Sequence, residues 1–152
     1  MKEAYVSFEV AKLLKEKGFD GECRMMYREH DKRRLYYVPD PNHIGEFTID
    51  AKWIKSHTKK AHAEYLLAPT LQMACAWLRE KHLIHAYAEY KAFFQERPKK
   101  LYYHWIPFVK TLPHCPINKS GFPKDTISLD VYCNTYEDAV EAALKYSLEN
   151  LI

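Results

Sequence analysis

The chain has 152 residues, of which 47% are hydrophobic and 28% are charged, and its formal net charge is only +3. This length suits one ordinary domain or two very small ones, and it allows a hydrophobic core without stabilising cross-links. No run approaches the roughly 18 apolar residues of a membrane span, and the amino terminus lacks an apolar signal region, so we expect a cytoplasmic protein without membrane contact.

The first predicted element is a short helix over residues 8–17. Ser7 is a favourable N-cap, the apolar residues after it have helical spacing, and Gly18 can end the helix in a left-handed conformation. Two strand-like runs follow, over residues 23–29 and 35–38, and the polar turn between them predicts a β-hairpin.

These elements form a predicted α-β-β unit over residues 1–39. Residues 40–68 contain few apolar residues that could pack into a core, so they are predicted to be a connector. The one element expected there is a short helix near residues 50–58. A further helix is predicted to begin after Thr70, which is a favourable N-cap, and to end near His82.

Two longer strands are predicted next. Apolar and polar residues alternate over residues 84–92, and a second strand-like run covers residues 101–109. Pro107 has no amide N–H to donate, so it predicts that its strand lies at a sheet edge or contains a bulge. The proline-rich stretch 111–126 predicts a long loop that is either functional or mobile.

The chain ends in a predicted strand over residues 127–132 and a helix over residues 136–150. Thr135 begins a capping-box pattern at the start of this helix. The order predicts an α+β fold with mainly antiparallel pairing, in which residues 69–152 form a second, α-β-β-β-α unit and the whole chain forms one compact domain.

An internal repeat is suggested by two pairs of similar segments. Residues 13–17 return as residues 77–81, and residues 33–37 return as residues 99–103, in the same order along the chain. The pattern predicts two pseudo-repeated helix-hairpin units.

The sequence predicts neither a metal site nor a cofactor. Its four cysteines form no CxxC or CxH pair; Cys23, Cys75 and Cys133 are expected to be small buried thiols, and Cys115 lies in the proline-rich stretch. The eight histidines are dispersed, and no nucleophile motif or glycine-rich phosphate loop is present. We therefore expect a protein that is not an enzyme.

The strongest functional pattern is the stretch 97–124, which is rich in basic and aromatic residues and contains no acidic residue. Cations neutralise phosphates and flat rings stack on bases, so this stretch predicts weak nucleic-acid binding as one hypothesis. A net charge of +3 instead favours rings that face a core or a dimer contact, with lysines that keep a turn soluble. The candidate residues are Arg97, Lys99, Lys100, Tyr102, Trp105, Lys110, Lys119 and Lys124.

Several segments carry a resemblance to other proteins, namely residues 5–19, 68–74, 77–80 and 136–144. Through them the chain resembles a group of small uncharacterised proteins from gut bacteria and their prophages, over most of its length apart from residues 40–66. The resemblance implies a mobile-element setting and a binding protein directed at the host or the phage, and it brings no active site.

The leading hypothesis is therefore a cytoplasmic protein that acts through protein–protein contacts. We expect a homodimer whose contact uses strand aromatics, because the strand edge predicted from Pro107 would need a partner or a cover. Nucleic-acid binding through residues 97–124 is the alternative.

Overall fold

The computed structural model describes residues 3–28, 31–37, 48–61, 65–112 and 126–152. Its elements, in chain order, are α1 (Phe8–Glu16), β1 (Met25–Arg28), β2 (Asp31–Tyr37), α2 (Ala51–Ala61), β3 (Tyr65–Leu67), α3 (Leu71–His82), β4 (Ile84–Glu96), β5 (Lys99–Thr111), β6 (Ile127–Ser128) and α4 (Tyr136–Asn150). The chain divides into two compact units, Met1–Ala74 and Cys75–Ile152, and the boundary falls within α3.

The first unit contains an antiparallel sheet in the order β2-β1-β3, and both α1 and α2 contact β3. The side chain of Ser7 caps α1 by accepting a hydrogen bond from the N–H of Val10. At the other end, Gly18 has a φ of +82°, and the N–H of Phe19 donates to the carbonyl of Leu14 at 2.9 Å. This is the Schellman arrangement that a glycine after the last helical turn makes possible.

The second unit contains a long antiparallel hairpin of β4 and β5, each 13 residues long, with the short β6 beside β5. The helix α4 contacts both long strands. Thr135 caps α4 by accepting a hydrogen bond from the N–H of Asp138 at 3.1 Å. The buried side of α4 consists of Ala139, Val140, Ala143, Leu144, Ser147 and Leu148.

Pro107 lies on the central strand of this sheet, so the predicted strand edge is wrong. Its carbonyl accepts a hydrogen bond from the N–H of Leu129, and its missing N–H therefore also faces the β6 side. There the chain leaves regular pairing: the N–H of Val131 donates back to the carbonyl of Leu129 at 2.7 Å, and pairing resumes between Trp105 and Cys133. The missing donor of Pro107 thus explains why β6 is short, and the bulge lies in the neighbouring segment.

The α+β class, the mainly antiparallel sheets and the C-terminal helix agree with the sequence prediction. The internal repeat is not confirmed: residues 33–37 lie on the outer strand β2 of one sheet, whereas residues 99–103 lie on the central strand β5 of the other. Residues 51–61 and 65–67, within the predicted connector, form α2 and β3. Most of the predicted loop 111–126 lies outside the described residues.

In the part of the chain that the structure describes, no helix combines the length and the apolar character needed to cross a membrane.

Candidate binding surfaces on the long hairpin

The outer half of the long hairpin, which we call the arm, consists of residues 90–96 and 99–105. Toward the base of the hairpin, Ile84 and Val109 are fully buried. The helix α4 covers this base and begins at Tyr136, whose ring lies 5.2 Å from the ring of Trp105. Beyond Trp105 the side chains of the arm are mostly exposed.

One face of the arm carries mostly aromatic side chains, and we call it the aromatic face. Tyr90 stacks on Tyr103 across the strands at a centroid distance of 5.5 Å, and its ring lies 5.0 Å from that of Trp105. Tyr90 is 57% exposed, Phe94 64% and Tyr103 50%. By the register of β4 and β5, the face consists of Tyr90, Ala92, Phe94, Leu101, Tyr103 and Trp105, followed at the tip by Glu96 and Lys99.

The opposite face of the arm carries a second group of rings, which we call the ring cluster: Phe93, Tyr102, His104 and Tyr132. The ring of Tyr132 lies 5.1 Å from that of Phe93 and 5.5 Å from that of His104. These side chains line a recess of about 230 Å³. The ammonium of Lys100 lies 5.1 Å from the centroid of the Tyr102 ring, so this face also offers a positive charge.

The candidate residues predicted from the sequence are divided between the two faces. Lys99 and Trp105 lie on the aromatic face, whereas Lys100, Tyr102 and Lys110 lie on the opposite face. Lys110 is near the base of the hairpin, about 34 Å from Lys100 at roughly 3.4 Å per residue of strand. The structure therefore brings Lys100 and Tyr102 together and separates them from the other three.

Arg97 lies in the turn at the tip of the arm, and Lys119 and Lys124 lie outside the described residues. The candidate list contains Tyr102 but not Phe93, His104 and Tyr132, which complete the ring cluster. The sequence contained a signal for Phe93. A turn at residues 97–98 implies that the strands on its two sides pair, and in that pairing Phe93 lies opposite Tyr102.

The three described cysteines are neutral thiols near neutral pH. Burial raises the pKa of Cys23 and of Cys75 to about 12, and it also raises the pKa of Cys133, so these thiols stay protonated near neutral pH. Cys23 and Cys133 are buried as predicted, Cys75 is half-buried, and Cys115 lies outside the described residues. Within the described ranges, no three His, Cys, Asp or Glu residues are grouped as metal ligands.

Comparison of the chain with models of known protein families, with curated proteins and with solved structures finds no match.

Proposed function

We propose that this chain is a cytoplasmic binding protein of phage or mobile-element type, which acts through protein–protein contacts made by the aromatic face of the arm. The exposure of Tyr90, Phe94 and Tyr103 on one side of two adjacent strands is the observation that carries the proposal. Aromatic side chains are enriched at the buried centres of protein interfaces, and contiguous exposed apolar patches mark interaction sites. The phage setting rests on the sequence resemblance.

The size of the patch supports this role. An aromatic side chain has about 200 Å² of surface, so the exposed fractions of the aromatic face together with Tyr136 amount to roughly 500 Å². This is comparable with the largest apolar patch on a typical monomer, and it is a large part of the about 800 Å² that one partner contributes to a stable interface.

The partner that we propose is a second copy of this chain. The tip of the arm is basic on balance, because Arg97 in the turn and Lys99 on the aromatic face outnumber Glu96, which is opposite Lys99. This basic tip lies about 20 Å from the row of Trp105, near which α4 begins with the exposed acidic residues Glu137 and Asp138. If two arms lie face to face and antiparallel, the basic tip of each meets the acidic helix start of the other. A two-fold interface needs this kind of self-complementary surface.

Sedimentation of the purified protein over about 1–100 μM tests this proposal. We expect reversible dimers, weakened about tenfold or more by Tyr103→Ser, since truncation of an exposed interface aromatic removes a central contact. Tyr132→Ser is the matched control, because Tyr132 is 61% exposed on the opposite face of the arm. A monomer at every concentration refutes self-association.

The proposed charge complementarity has its own test. Lys99→Glu should weaken the dimer and adding Glu137→Lys in the same chain should restore it, because the exchange reverses both charges of the proposed contact. Dimerisation that responds to neither substitution contradicts the antiparallel arrangement while leaving the aromatic contact in place.

The ring cluster favours a second candidate function, the binding of single-stranded nucleic acid. Four rings around a recess, with the ammonium of Lys100 beside them, resemble the combination of stacking platforms and cations that holds unpaired bases. The small net charge of +3 argues for weak binding at most.

Fluorescence anisotropy with short single- and double-stranded DNA and RNA, at low and moderate salt, tests this second candidate. Salt-sensitive micromolar binding should be weakened by Lys100→Gln but not by Lys110→Gln, which removes the same charge from the base of the hairpin. An absence of binding at low salt, or equal effects of the two substitutions, excludes the ring cluster as a nucleic-acid site.

A further inference from the structure

The first unit contains a cavity that the proposed function does not use. It has a volume of about 480 Å³ and lies between α1, α2 and β3. Tyr65 and Leu67 line it from β3, and because they are two residues apart on a strand they share one face. The volume is within the roughly 300–1,000 Å³ of pockets that hold small organic ligands.

The two helices present the same pattern of side chains to this cavity. Each contributes a small residue, then a branched aliphatic residue three positions later and a lysine at the fourth position, which is the spacing that lies along one helix face. These residues are Ala11, Leu14 and Lys15 on α1, and Ala51, Ile54 and Lys55 on α2. The cavity thus has an apolar wall and a lysine on each of its two helical sides.

The end of the cavity next to α1 is formed by the turn that closes that helix. Gly18 has the left-handed backbone conformation that directs the chain to Phe19, a cavity-lining residue that is 6% exposed. A Cβ atom at Gly21 would lie only 2.6 Å from the Phe19 ring, so the glycine is what allows the ring to take this position. Gly18 and Gly21 therefore allow the apolar ring of Phe19 to line this end of the cavity.

The charges around the cavity favour an anion over a cation. Lys15 and Lys55 supply two ammonium groups and Asp20 supplies one carboxylate. Both lysine side chains are exposed, and a lysine side chain can lay its methylene stem along an apolar wall with its charged end at the surface. A ligand with an apolar body and one negative end therefore matches both parts of the site.

We propose that this cavity binds a small carboxylic acid with an apolar body, such as a medium-chain fatty acid. The apolar body lies among Leu14, Ile54 and Leu67, and the carboxylate lies between the ammonium groups of Lys15 and Lys55. The proposal concerns the first unit alone, so it does not depend on the arm or on the dimer.

Calorimetric titration of the full chain with decanoate, below its micelle concentration, tests the proposal, with 1-decanol as the uncharged probe of the same length. Wild-type protein should bind decanoate more tightly than decanol. The variant Lys15→Gln/Lys55→Gln should bind decanoate about fivefold to tenfold more weakly and decanol with unchanged affinity, because two exposed charge contacts are lost.

The matched control is Lys12→Gln/Lys52→Gln, which removes the same two charges from exposed positions on the same helices that do not line the cavity. This control should change the decanoate affinity less than about twofold. A third variant, Ala51→Phe, fills the cavity from the first residue of α2 and should weaken both probes.

Four results would each overturn the proposal. One is an absence of decanoate binding to the wild-type chain, and another is equal weakening by the cavity pair and the control pair. The third is unchanged binding in the Ala51→Phe variant, which would locate the ligand elsewhere. The fourth is equal affinity for decanoate and decanol, which would mean that the cavity binds the apolar chain without recognising the carboxylate. Circular dichroism confirms the fold of each variant.

Discussion

Replacing Phe94 by alanine should cost far less stability than replacing Leu144 by alanine, although both side chains are large and apolar. Leu144 has no exposed surface, and removing such a leucine side chain costs about 2–5 kcal/mol. Phe94 is 64% exposed, so only about one third of it is covered. If a fully buried phenylalanine costs about 3–5 kcal/mol, Phe94→Ala should cost roughly 1–2 kcal/mol.

Urea unfolding followed by far-ultraviolet circular dichroism measures both costs. The wild-type chain and the two variants are compared at the lowest workable protein concentration, where self-association is least, and their m-values should be equal. The experiment is then repeated at high concentration. If dimers cover the aromatic face, the cost of Phe94→Ala should rise with concentration, whereas the cost of Leu144→Ala should stay nearly constant.

Equal costs at low concentration would refute this reasoning. They would mean that the ring of Phe94 is covered within the single chain in solution, and the aromatic face would then be part of a core and not a binding surface. Such a result would also remove the argument for dimerisation through Tyr103.

Other consequences follow from individual residues. Thr135→Ala should lower the unfolding free energy by about 1 kcal/mol, because it removes the cap of α4, and a urea titration without any loss would contradict that role. Burial and the positive charges of Arg79 and Lys110 lower the pKa of His85 in the folded chain. As the pH falls below about 6.5, His85 therefore binds a proton more readily in the unfolded chain than in the folded chain, and the unfolding free energy decreases. His85→Gln should lose less stability than the wild type between about pH 7 and about pH 5, and identical slopes would contradict the assignment. Cys75, with a pKa of about 12, should react with iodoacetamide much faster after unfolding in urea than before it, as mass spectrometry of the labelled peptide can show; equal rates would contradict this raised pKa.

The ends of the helices could be predicted closely because local chemistry determines them. Ser7 and Thr135 each accept a hydrogen bond from the N–H three residues later, as their capping patterns predict. Thr70 does the same for the helix that begins after it, and Gly18 has the positive φ that its position predicts. These signals need no information from distant parts of the chain.

The strand β3 could not be predicted, because its formation depends on a distant partner. Tyr65–Leu67 is only three residues long, too short for a period of two to be recognised. It is a strand because Met26 and its neighbours in β1 pair with it across the sheet. The helix α2 extends the predicted 50–58 to Ala61, again in a stretch where few apolar residues indicate an element.

The long hairpin extends beyond both predicted strands for a related reason. Two adjacent apolar residues, Phe93 and Phe94, break the alternation of apolar and polar residues, so the pattern ends the first strand near Ala92. The ladder nevertheless continues to Glu96 opposite Lys99, because cross-strand hydrogen bonds do not require that one face be buried. Alternation of apolar and polar residues indicates a strand with one buried face, and neither face of the arm is buried.

The candidate surfaces could not be predicted because a helix distant in sequence decides which part of a strand face is core. Ala86 and Ala92 lie on the same face of β4, yet Ala86 is 3% exposed and Ala92 is exposed. We attribute the difference to α4, which contacts both long strands and begins at Tyr136, beside Trp105. A sheet face with the composition of a core is thus a surface wherever no helix covers it. The binding proposal depends on the exposed area of Phe94, which lies in this uncovered part of the face.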